Sequence, residues 1–330
     1  MKRIAVWLAA IGLVAAGSAG SPAAGAVPAA AGTRWVIEPT ASRAHLSNQL
    51  NGVSCTSASA CTAVGGPPLG LPGNRAITLA ERWDGRRWSI QPTPNPRGSA
   101  GAALWGVSCS SRRACTAVGL KGGGRYTQTL AERWNGSRWS IQPTPNPAPA
   151  SELVGVSCPA ANDCVAVGNY SAPTGPIFGL IERWNGLRWA IAGVVRPAGA
   201  DETFLTAVSC SNVRRCTAVG SFQLTTSPIG PYPLAERWTG SRWRQQVTPG
   251  KGELMAVSCP AFFHCAAVGD QADSAGSVDD AGDAVERPGM AGAAHARAQG
   301  RLAGLPAGRL VRRGDLLHGR RVGRGQPRVR

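Results

Sequence analysis

Ten cysteines, the whole complement of the chain, fall into five pairs of one spacing: Cys55/Cys61, Cys109/Cys115, Cys158/Cys164, Cys210/Cys216 and Cys259/Cys265. Thiols in such an array can hold a metal, supply a nucleophile or cross-link. Structural zinc prefers two to four residues between ligands and gathers four ligands in one cluster. Here five residues separate each pair, successive pairs lie about 50 residues apart, and His264 is the only histidine near any of them. Nothing singles out one of the ten as a nucleophile. Cross-linking is left. An even, periodic cysteine count reads as a disulfide framework formed in an oxidising compartment. Facing residues of antiparallel strands lie within disulfide reach, and closing so short a loop contributes roughly 2 kcal/mol. No cofactor and no metal are expected.

The carboxylates give less. Asp270, Asp273, Asp279, Asp280 and Asp283 crowd one segment, yet they lack the order of a calcium-binding loop, and a solvated acidic loop is the plainer expectation. Glycoside hydrolysis needs two chosen carboxylates, and none stands out from the repeated Glu81, Glu132, Glu182, Glu236 and Glu286. A sialidase-like centre would need tyrosine beside arginine and carboxylate; the three tyrosines, Tyr126, Tyr170 and Tyr232, stand in no motif. His45 and His264 lie in no nucleophile motif either. No catalytic residue is assigned, and the expectation is a protein that is not an enzyme.

What positions the cysteines is a repeat. Its clearest copy runs Leu104-Trp105-Gly106-Val107-Ser108-Cys109, then Cys115-Thr116-Ala117-Val118-Gly119, then Leu130-Ala131-Glu132-Arg133-Trp134-Asn135-Gly136-Ser137-Arg138-Trp139-Ser140-Ile141-Gln142 and Pro143-Thr144-Pro145. The first cysteines recur at intervals of 54, 49, 52 and 49 residues. Short small-apolar runs and period-two alternation are strand signals. Asp84-Gly85, Asn135-Gly136 and Asn185-Gly186 read as two-residue hairpin turns, Thr239-Gly240 as a weaker one, and proline closes the last strand because it cannot donate to a ladder. With 43 glycines and 25 prolines in 330 residues, helical repeats are excluded. Four strands in about 50 residues make one propeller blade. The expected fold is all-β, a β-propeller of about five four-stranded blades. The pairs Trp83/Trp88, Trp134/Trp139, Trp184/Trp189 and Trp238/Trp243 are expected between neighbouring blades, with a sugar-stacking platform as the alternative. Trp105 has no counterpart in the other copies; it is expected in the core, with exposure as the alternative. Each Glu-Arg dipeptide is read as a structural pair.

In chain order, residues 1–26 read as a signal peptide: Lys2-Arg3, an apolar stretch too short for a membrane span, and Ala24-Gly25-Ala26 before the cleavage point. Residues 27–31 are a linker. The propeller repeats occupy 32–287, with blades near 50–96, 104–147, 153–197, 205–249 and 254–287. Residues 32–40 form a lone last strand: Arg34-Trp35-Val36-Ile37-Glu38-Pro39-Thr40 matches Arg138 to Thr144, and such a strand can close the ring. From 288 to 330 the text changes to ten arginines, no lysine and one acid, Asp315. Pro288-Gly289-Met290-Ala291 read two bases later permits Trp, Asn or Asp, then Gly, so the expectation is a frameshifted low-complexity tail, against a real basic tail. More than half of the formal charge of +17 sits in that tail and in Lys2-Arg3. A nucleic-acid partner is therefore not expected, nor is stable membrane insertion.

Gly106-Val107-Ser108, Ala117-Val118-Gly119 and the hairpin Asn135-Gly136-Ser137-Arg138-Trp139 give the chain a family likeness. It resembles the sialidase-like, Asp-box and photosystem II assembly-factor propellers, and, more nearly, secreted Cys-rich repeat proteins of actinobacteria. The resemblance covers about residues 32–287 and implies the fold rather than an activity. Its hairpin departs from the Asp-box, with Asp84 or Asn135 directly before glycine. Repeated positions build scaffold, whereas function concentrates on loops. The variable segments are 65–77, 120–128, 169–178, 221–233 and 270–284, all expected on one rim. The expected protein is thus a secreted, non-catalytic scaffold whose rim loops bind an unknown extracellular protein, glycan or surface. The alternatives are a sialidase-like glycoside hydrolase or lyase and a truncated product without function.

Overall fold

The structure is a computed structural model. It describes residues 37–41, 49–66, 77–123, 126–193, 196–224, 230–261, 264–272 and 278–279. The expected signal peptide, linker and basic tail, and residues 32–36 of the lone strand, lie outside the described residues.

The described chain is all strand and turn, and it is a multi-blade β-propeller. Blade 1 holds β1 (Gln49–Ser57), β2 (Ala60–Gly66), β3 (Leu79–Trp83) and β4 (Trp88–Gln91). Blade 2 holds β5 (Ala102–Ser111), β6 (Ala114–Gly123), β7 (Tyr126–Trp134) and β8 (Trp139–Gln142). Blade 3 holds β9 (Ala150–Ala160), β10 (Asp163–Ser171), β11 (Ile177–Trp184) and β12 (Trp189–Ile191). Blade 4 holds β13 (Ala200–Asn212), β14 (Arg215–Leu224), β15 (Tyr232–Trp238) and β16 (Trp243–Gln246). Blade 5 holds β17 (Gly252–Ala261), β18 (His264–Ala272) and the short β19 (Val278–Asp279), so three of its expected four strands are described. Every blade is an antiparallel meander, and blades 2 and 3 also share one parallel bridge, Thr127 to Ala150. The first strands of successive blades pack against one another, β1 on β5, β5 on β9, β9 on β13 and β13 on β17.

Strand alternation gives each blade two different walls. In blade 2, Leu104, Val107, Cys115, Ala117, Leu130, Trp134 and Trp139 face blade 1 and meet its Val64 and Ala80 in one core. The opposite wall, with Val118 and Ala131, meets Leu153, Trp184 and Trp189 of blade 3. The same mixture of two blades recurs in the remaining two cores. The tryptophans of blades 2, 3 and 4 therefore stand between blades, as their spacing led one to expect, while Trp83 and Trp88 of blade 1 are half-buried and belong to none of these cores. They also touch within the blade: Trp134 and Trp139 are direct cross-strand neighbours with ring centroids 5.9 Å apart.

One polar clasp repeats at every junction and explains the Val-Ser-Cys motif. The Ser54 hydroxyl accepts the Cys109 N–H at 3.0 Å, Ser108 that of Cys158 at 2.9 Å, Ser157 that of Cys210 at 3.0 Å and Ser209 that of Cys259 at 3.0 Å. The glycine of Val-Gly is equally fixed. A Cβ on Gly119 would collide with the Ala103 carbonyl, and Gly65, Gly168, Gly220 and Gly269 meet the same obstacle on their own first strands.

Two expectations need correction. Trp134 pairs directly with Trp139, so the connection between the third and fourth strands holds four residues, not two. Asn135 serves as a side-chain acceptor there, taking the Ser137 and Arg138 N–H groups, while Gly136 supplies the positive φ of 99°. Nor do Glu and Arg pair, because adjacent strand residues point to opposite walls. Glu132 turns back to the Thr78 side chain of blade 1. Arg133 reaches forward, 4.7 Å above the Trp184 ring, and donates to the Ala161 carbonyl.

Candidate functional site

An antiparallel meander puts its first and third connections at one end and its second connection, with the link to the next blade, at the other. The molecule consequently has two unlike ends.

The hairpin end carries the cysteines. The five bonds are Cys55–Cys61, Cys109–Cys115, Cys158–Cys164, Cys210–Cys216 and Cys259–Cys265, each with Cα atoms 3.9–4.1 Å apart. The partners are those the spacing pairs, and every bond lies within one blade. The facing geometry expected of them is not uniform, however. Cys55 and Cys61, Cys109 and Cys115, and Cys210 and Cys216 face each other directly in the ladder. In blades 3 and 5 a register shift falls at the bond, so Cys158–Cys164 and Cys259–Cys265 bridge an irregular stretch of the hairpin. The sulfurs of the second strand pack toward the preceding blade. Thr62 Oγ1 lies 3.6 Å from Cys115 Sγ, Thr116 Oγ1 3.5 Å from Cys164 Sγ and Thr217 Oγ1 3.6 Å from Cys265 Sγ, while Cys216 sits buried in the core shared by blades 3 and 4. Five disulfides fit an oxidising compartment, and among the described residues no helix is long and apolar enough to cross a membrane. Arginine dominates this end: Arg86, Arg87, Arg112, Arg113, Arg138, Arg188, Arg214, Arg215 and Arg242 against Asp84 and Asp163. Three further arginines serve the scaffold. Arg82 and Arg183, like Arg133, stack on the next blade's tryptophan and donate to the carbonyls of Arg112 and Val213.

The other end, the rim, carries the variable segments. They are less loop-like than expected. Leu120, Lys121 and Gly122 pair with Thr129, Gln128 and Thr127, so segment 120–128 is largely ladder. Residues 169–171 pair with 177–179 in the same way. Thr and Tyr at these positions favour a pleated surface, and the strands run on past the repeat. Residues 67–76, 225–229 and most of 270–284 lie outside the described residues, Asp273, Asp280 and Asp283 among them. Asp270 faces Glu253 across the ladder. Burial first, and then the Asp270 charge, push the Glu253 carboxyl up. Among the described residues no cluster of three potential metal ligands occurs.

A concavity lies on this rim where blades 3 and 4 meet. Tyr170 on β10 and Phe178 on β11 are direct cross-strand partners, with rings 5.7 Å apart and tilted by 52°. The link into blade 4 brings Arg196 over Phe178, its guanidinium carbon 3.8 Å from the ring centroid. These residues, with Ile191 and Thr203, line a hollow of about 260 Å³. Across Tyr170 a second hollow of about 170 Å³ opens toward blade 2, lined by Thr127, Ser151, Glu152 and Asn169. Together they form one groove with Tyr170 as its common wall.

Scaffold bonds hold the groove in shape. Asn169 Oδ1 accepts the Leu205 N–H at 2.9 Å and thereby ties blade 3 to blade 4. Thr203 Oγ1 accepts the Gly179 N–H at 2.9 Å, and Glu202 Oε1 accepts the Ile177 N–H at 3.3 Å. Burial pushes the Glu152 carboxyl up, and its hydrogen bond to Asn169 partly opposes that. Arg196 is exposed and makes no ion pair among the described residues. The groove can thus stack a flat apolar face and offer guanidinium donors to an oxygen-rich group.

Of the residues weighed in the sequence, Tyr170 is in the groove, while Tyr126 is exposed at the far end of β7 and Tyr232 stacks on Phe222, 5.4 Å away in blade 4. His264 is exposed at the blade 5 turn, and His45 lies outside the described residues. Trp105 is half-buried on β5, its Nε1 without a hydrogen-bond partner among the described residues. Sequence reasoning missed Phe178 and Arg196. Their only signal was position: each lies just outside a repeated motif.

No family model and no curated protein matches the sequence. Among solved structures the chain is similar to propeller proteins. A GH74 xyloglucanase from Xanthomonas campestris gives a TM-score of 0.37 at 11% identity, over 67% of this chain and 43% of that one. The arabinanase Arb43A from Bacillus subtilis gives 0.36 at 10% identity, over 70% and 93%. YCF48 from Cyanidioschyzon merolae gives 0.40 at 12% identity, over 73% of each chain. The chain therefore spans less than half of the xyloglucanase.

Proposed function

We propose that this chain is a secreted, non-catalytic β-propeller that binds an extracellular glycan in the rim groove around Tyr170. The observation that carries the proposal is the hollow built from Tyr170, Phe178 and Arg196. Aromatic faces offer the C–H side of a sugar ring a flat apolar partner, and an exposed guanidinium adds bidentate donors for hydroxyl or carboxylate oxygens. The two nearest carboxylates support binding over hydrolysis. Glu202 is bonded to the Ile177 backbone and Glu152 to Asn169, and neither lines the larger hollow. The proposed secretion fits a glycan ligand, since it would put the protein among extracellular polysaccharides.

The test is a glycan array followed by calorimetry on the hits, with Tyr170→Ala and Arg196→Gln beside the parent chain. Saturable binding weakened at least tenfold by Tyr170→Ala is expected, with Arg196→Gln acting selectively on acidic sugars. Turnover of any hit would replace the module with a glycoside hydrolase. Binding that both variants leave intact would move the site elsewhere.

A further inference from the structure

The first hairpin turns of the blades repeat in backbone but not in side chain. They hold Ala58-Ser59 in blade 1, Arg112-Arg113 in blade 2, Ala161-Asn162 in blade 3 and Val213-Arg214 in blade 4. In blades 2 to 4 the preceding blade uses the first of these residues only through its carbonyl. Arg82 donates to that of Arg112 at 2.8 Å, and Arg133 and Arg183 donate to those of Ala161 and Val213. Alanine serves that bond as well as arginine does, so the two guanidiniums of the blade 2 turn are surplus to the fold.

Arg112 and Arg113 are exposed, and neither guanidinium makes a hydrogen bond or ion pair among the described residues. Their placement is fixed nonetheless. The Arg113 stem lies against the third-turn glycine, where a Cβ added to Gly136 would come within 3.1 Å of it. Arg82 stacks on Trp134, 4.9 Å from the ring centroid, and commits one of its five N–H donors to the Arg112 carbonyl. The three arginines line one hollow of about 400 Å³ between blades 1 and 2. Asp84 is the acid of that hollow, and it is already engaged. Its Oδ1 accepts the Arg86 and Arg87 N–H groups at 2.8 and 2.9 Å, and its Oδ2 lies 4.0 Å from Arg87 Nε. Burial, and then the Arg112 charge, pull the Arg82 guanidinium below its ordinary value. Blade 3 shows the relaxed alternative: Arg183, the counterpart of Arg82, has Asp163 at 2.8 Å, where blade 1 has Ala60.

We infer that this hollow binds a sulfate or phosphate ester carried on a polysaccharide chain, with Arg82, Arg112 and Arg113 as its donors. Converging planar guanidiniums match a tetrahedral group that presents three acceptor oxygens, whereas one fork is enough for a carboxylate. The volume is that of a small-molecule site and leaves room for the sugar bearing the ester. A polysaccharide is the carrier rather than a nucleic acid, which would need aromatic faces for its bases. The rings at the hollow are already used: Arg82 covers Trp134, and Trp83 packs on Trp88 at 5.7 Å and gives its N–H to the Ala58 carbonyl. The hollow lies at the opposite end of the blades from Tyr170, and the inference does not rest on the rim groove.

The test is calorimetry of the full chain with dextran sulfate, phosphomannan, alginate, neutral dextran and single-stranded DNA. The double variant Arg112→Gln/Arg113→Gln is set beside Arg188→Gln/Arg242→Gln, which removes the same charge from exposed turns of blades 3 and 4. The parent is expected to bind dextran sulfate or phosphomannan saturably, the tighter of the two naming the ester, and to leave alginate and neutral dextran unbound. The first variant should lose roughly tenfold or more in affinity, the second less than about threefold. Both should melt at the parent's temperature, since all four side chains face water. Equal losses would reduce the contact to diffuse attraction by a basic end and overturn the site, as would a parent that binds neither ester. Alginate bound as tightly as the esters overturns the tetrahedral assignment, and DNA bound more tightly than both overturns the polysaccharide.

Discussion

The hairpin end and the rim are made by the same five repeats, yet they obey opposite rules. At the hairpin end the blades repeat one another: a disulfide in all five and, in blades 1 to 3, an Asx-type turn around one glycine and an arginine laid over the next blade's tryptophan. At the rim the blades diverge, although blades 3 and 4 both set a Tyr–Phe pair across the second and third strands. Lys121 faces Gln128 in blade 2, Tyr170 faces Phe178 in blade 3, and Phe222 faces Tyr232 in blade 4. Repetition marks the parts that must fit a neighbouring blade, and each blade has much the same neighbour. Variation marks the parts that face only solvent or a ligand. The difference separates scaffold from site within a single strand: Ala166 and Val167 belong to the wall, and three residues on, Tyr170 belongs to the groove.

The comparison breaks first at the backbone. Gly119 sits where a Cβ would strike the Ala103 carbonyl of its own blade. Gly119→Val should therefore cost ~3 kcal/mol or more, or prevent folding outright. Ser171→Val, at the rim end of the central strand β10 in the next blade, should cost less than ~1 kcal/mol, because a β-branched side chain suits a half-buried strand position. Urea denaturation read by tryptophan fluorescence compares the two. A Gly119→Val chain as stable as its parent would mean that the strands part easily there and that the repeat glycine is not a packing requirement.

A second separation is electrostatic. Glu132 is buried in the wall between blades 1 and 2, and burial pushes its carboxyl up to about 8; Glu182 stands likewise at about 8 in the next wall. Between the ordinary glutamate value and 8 the unfolded chain has released these protons while the folded chain holds them. Stability is then greatest below about pH 4.5, falls as pH rises, and levels off above about pH 8. Glu132→Gln keeps the neutral shape and removes the titration. It should match the parent at pH 4 and exceed it by several kcal/mol at pH 9. Glu152→Gln at the rim, where water and Asn169 help the charge, should show a smaller difference of the same sign. Parallel pH–stability curves for parent and Glu132→Gln would show that the carboxylate is ionised inside the wall.

Much of this architecture was legible because repetition supplies its own control. Five copies of Val-Ser-Cys and of Ala-Val-Gly set the blade period, the cysteine partners and the interblade tryptophans without any coordinate. The Glu-Arg dipeptide misled because adjacency in sequence suggested contact, whereas a strand sends neighbours to opposite walls. The hairpin misled for a related reason. Asn-Gly is the signature of a two-residue turn, but the ladder closes at Trp134 and Trp139, outside it. The groove was nearly illegible. Phe178 lies eight residues beyond Tyr170 and Arg196 eighteen beyond Phe178, so only the register of β10 on β11 and the course of the link into blade 4 bring them together.

The smallest effect offers the finest comparison, because the same substitution can be made at both ends. Arg133 stacks on Trp184 and donates to the Ala161 carbonyl, joining two blades. Arg196 stacks on Phe178 but is exposed and holds no carbonyl among the described residues. Arg133→Gln should lose the cation–π contact and a charge-assisted hydrogen bond, about 1 kcal/mol in all after solvent screening. Arg196→Gln should stay within ~0.5 kcal/mol of the parent. Equal losses would make Arg196 part of the scaffold, and the guanidinium would no longer be free for a ligand. Unequal losses in the expected order would leave Arg196 as a charge held at the groove for something other than stability.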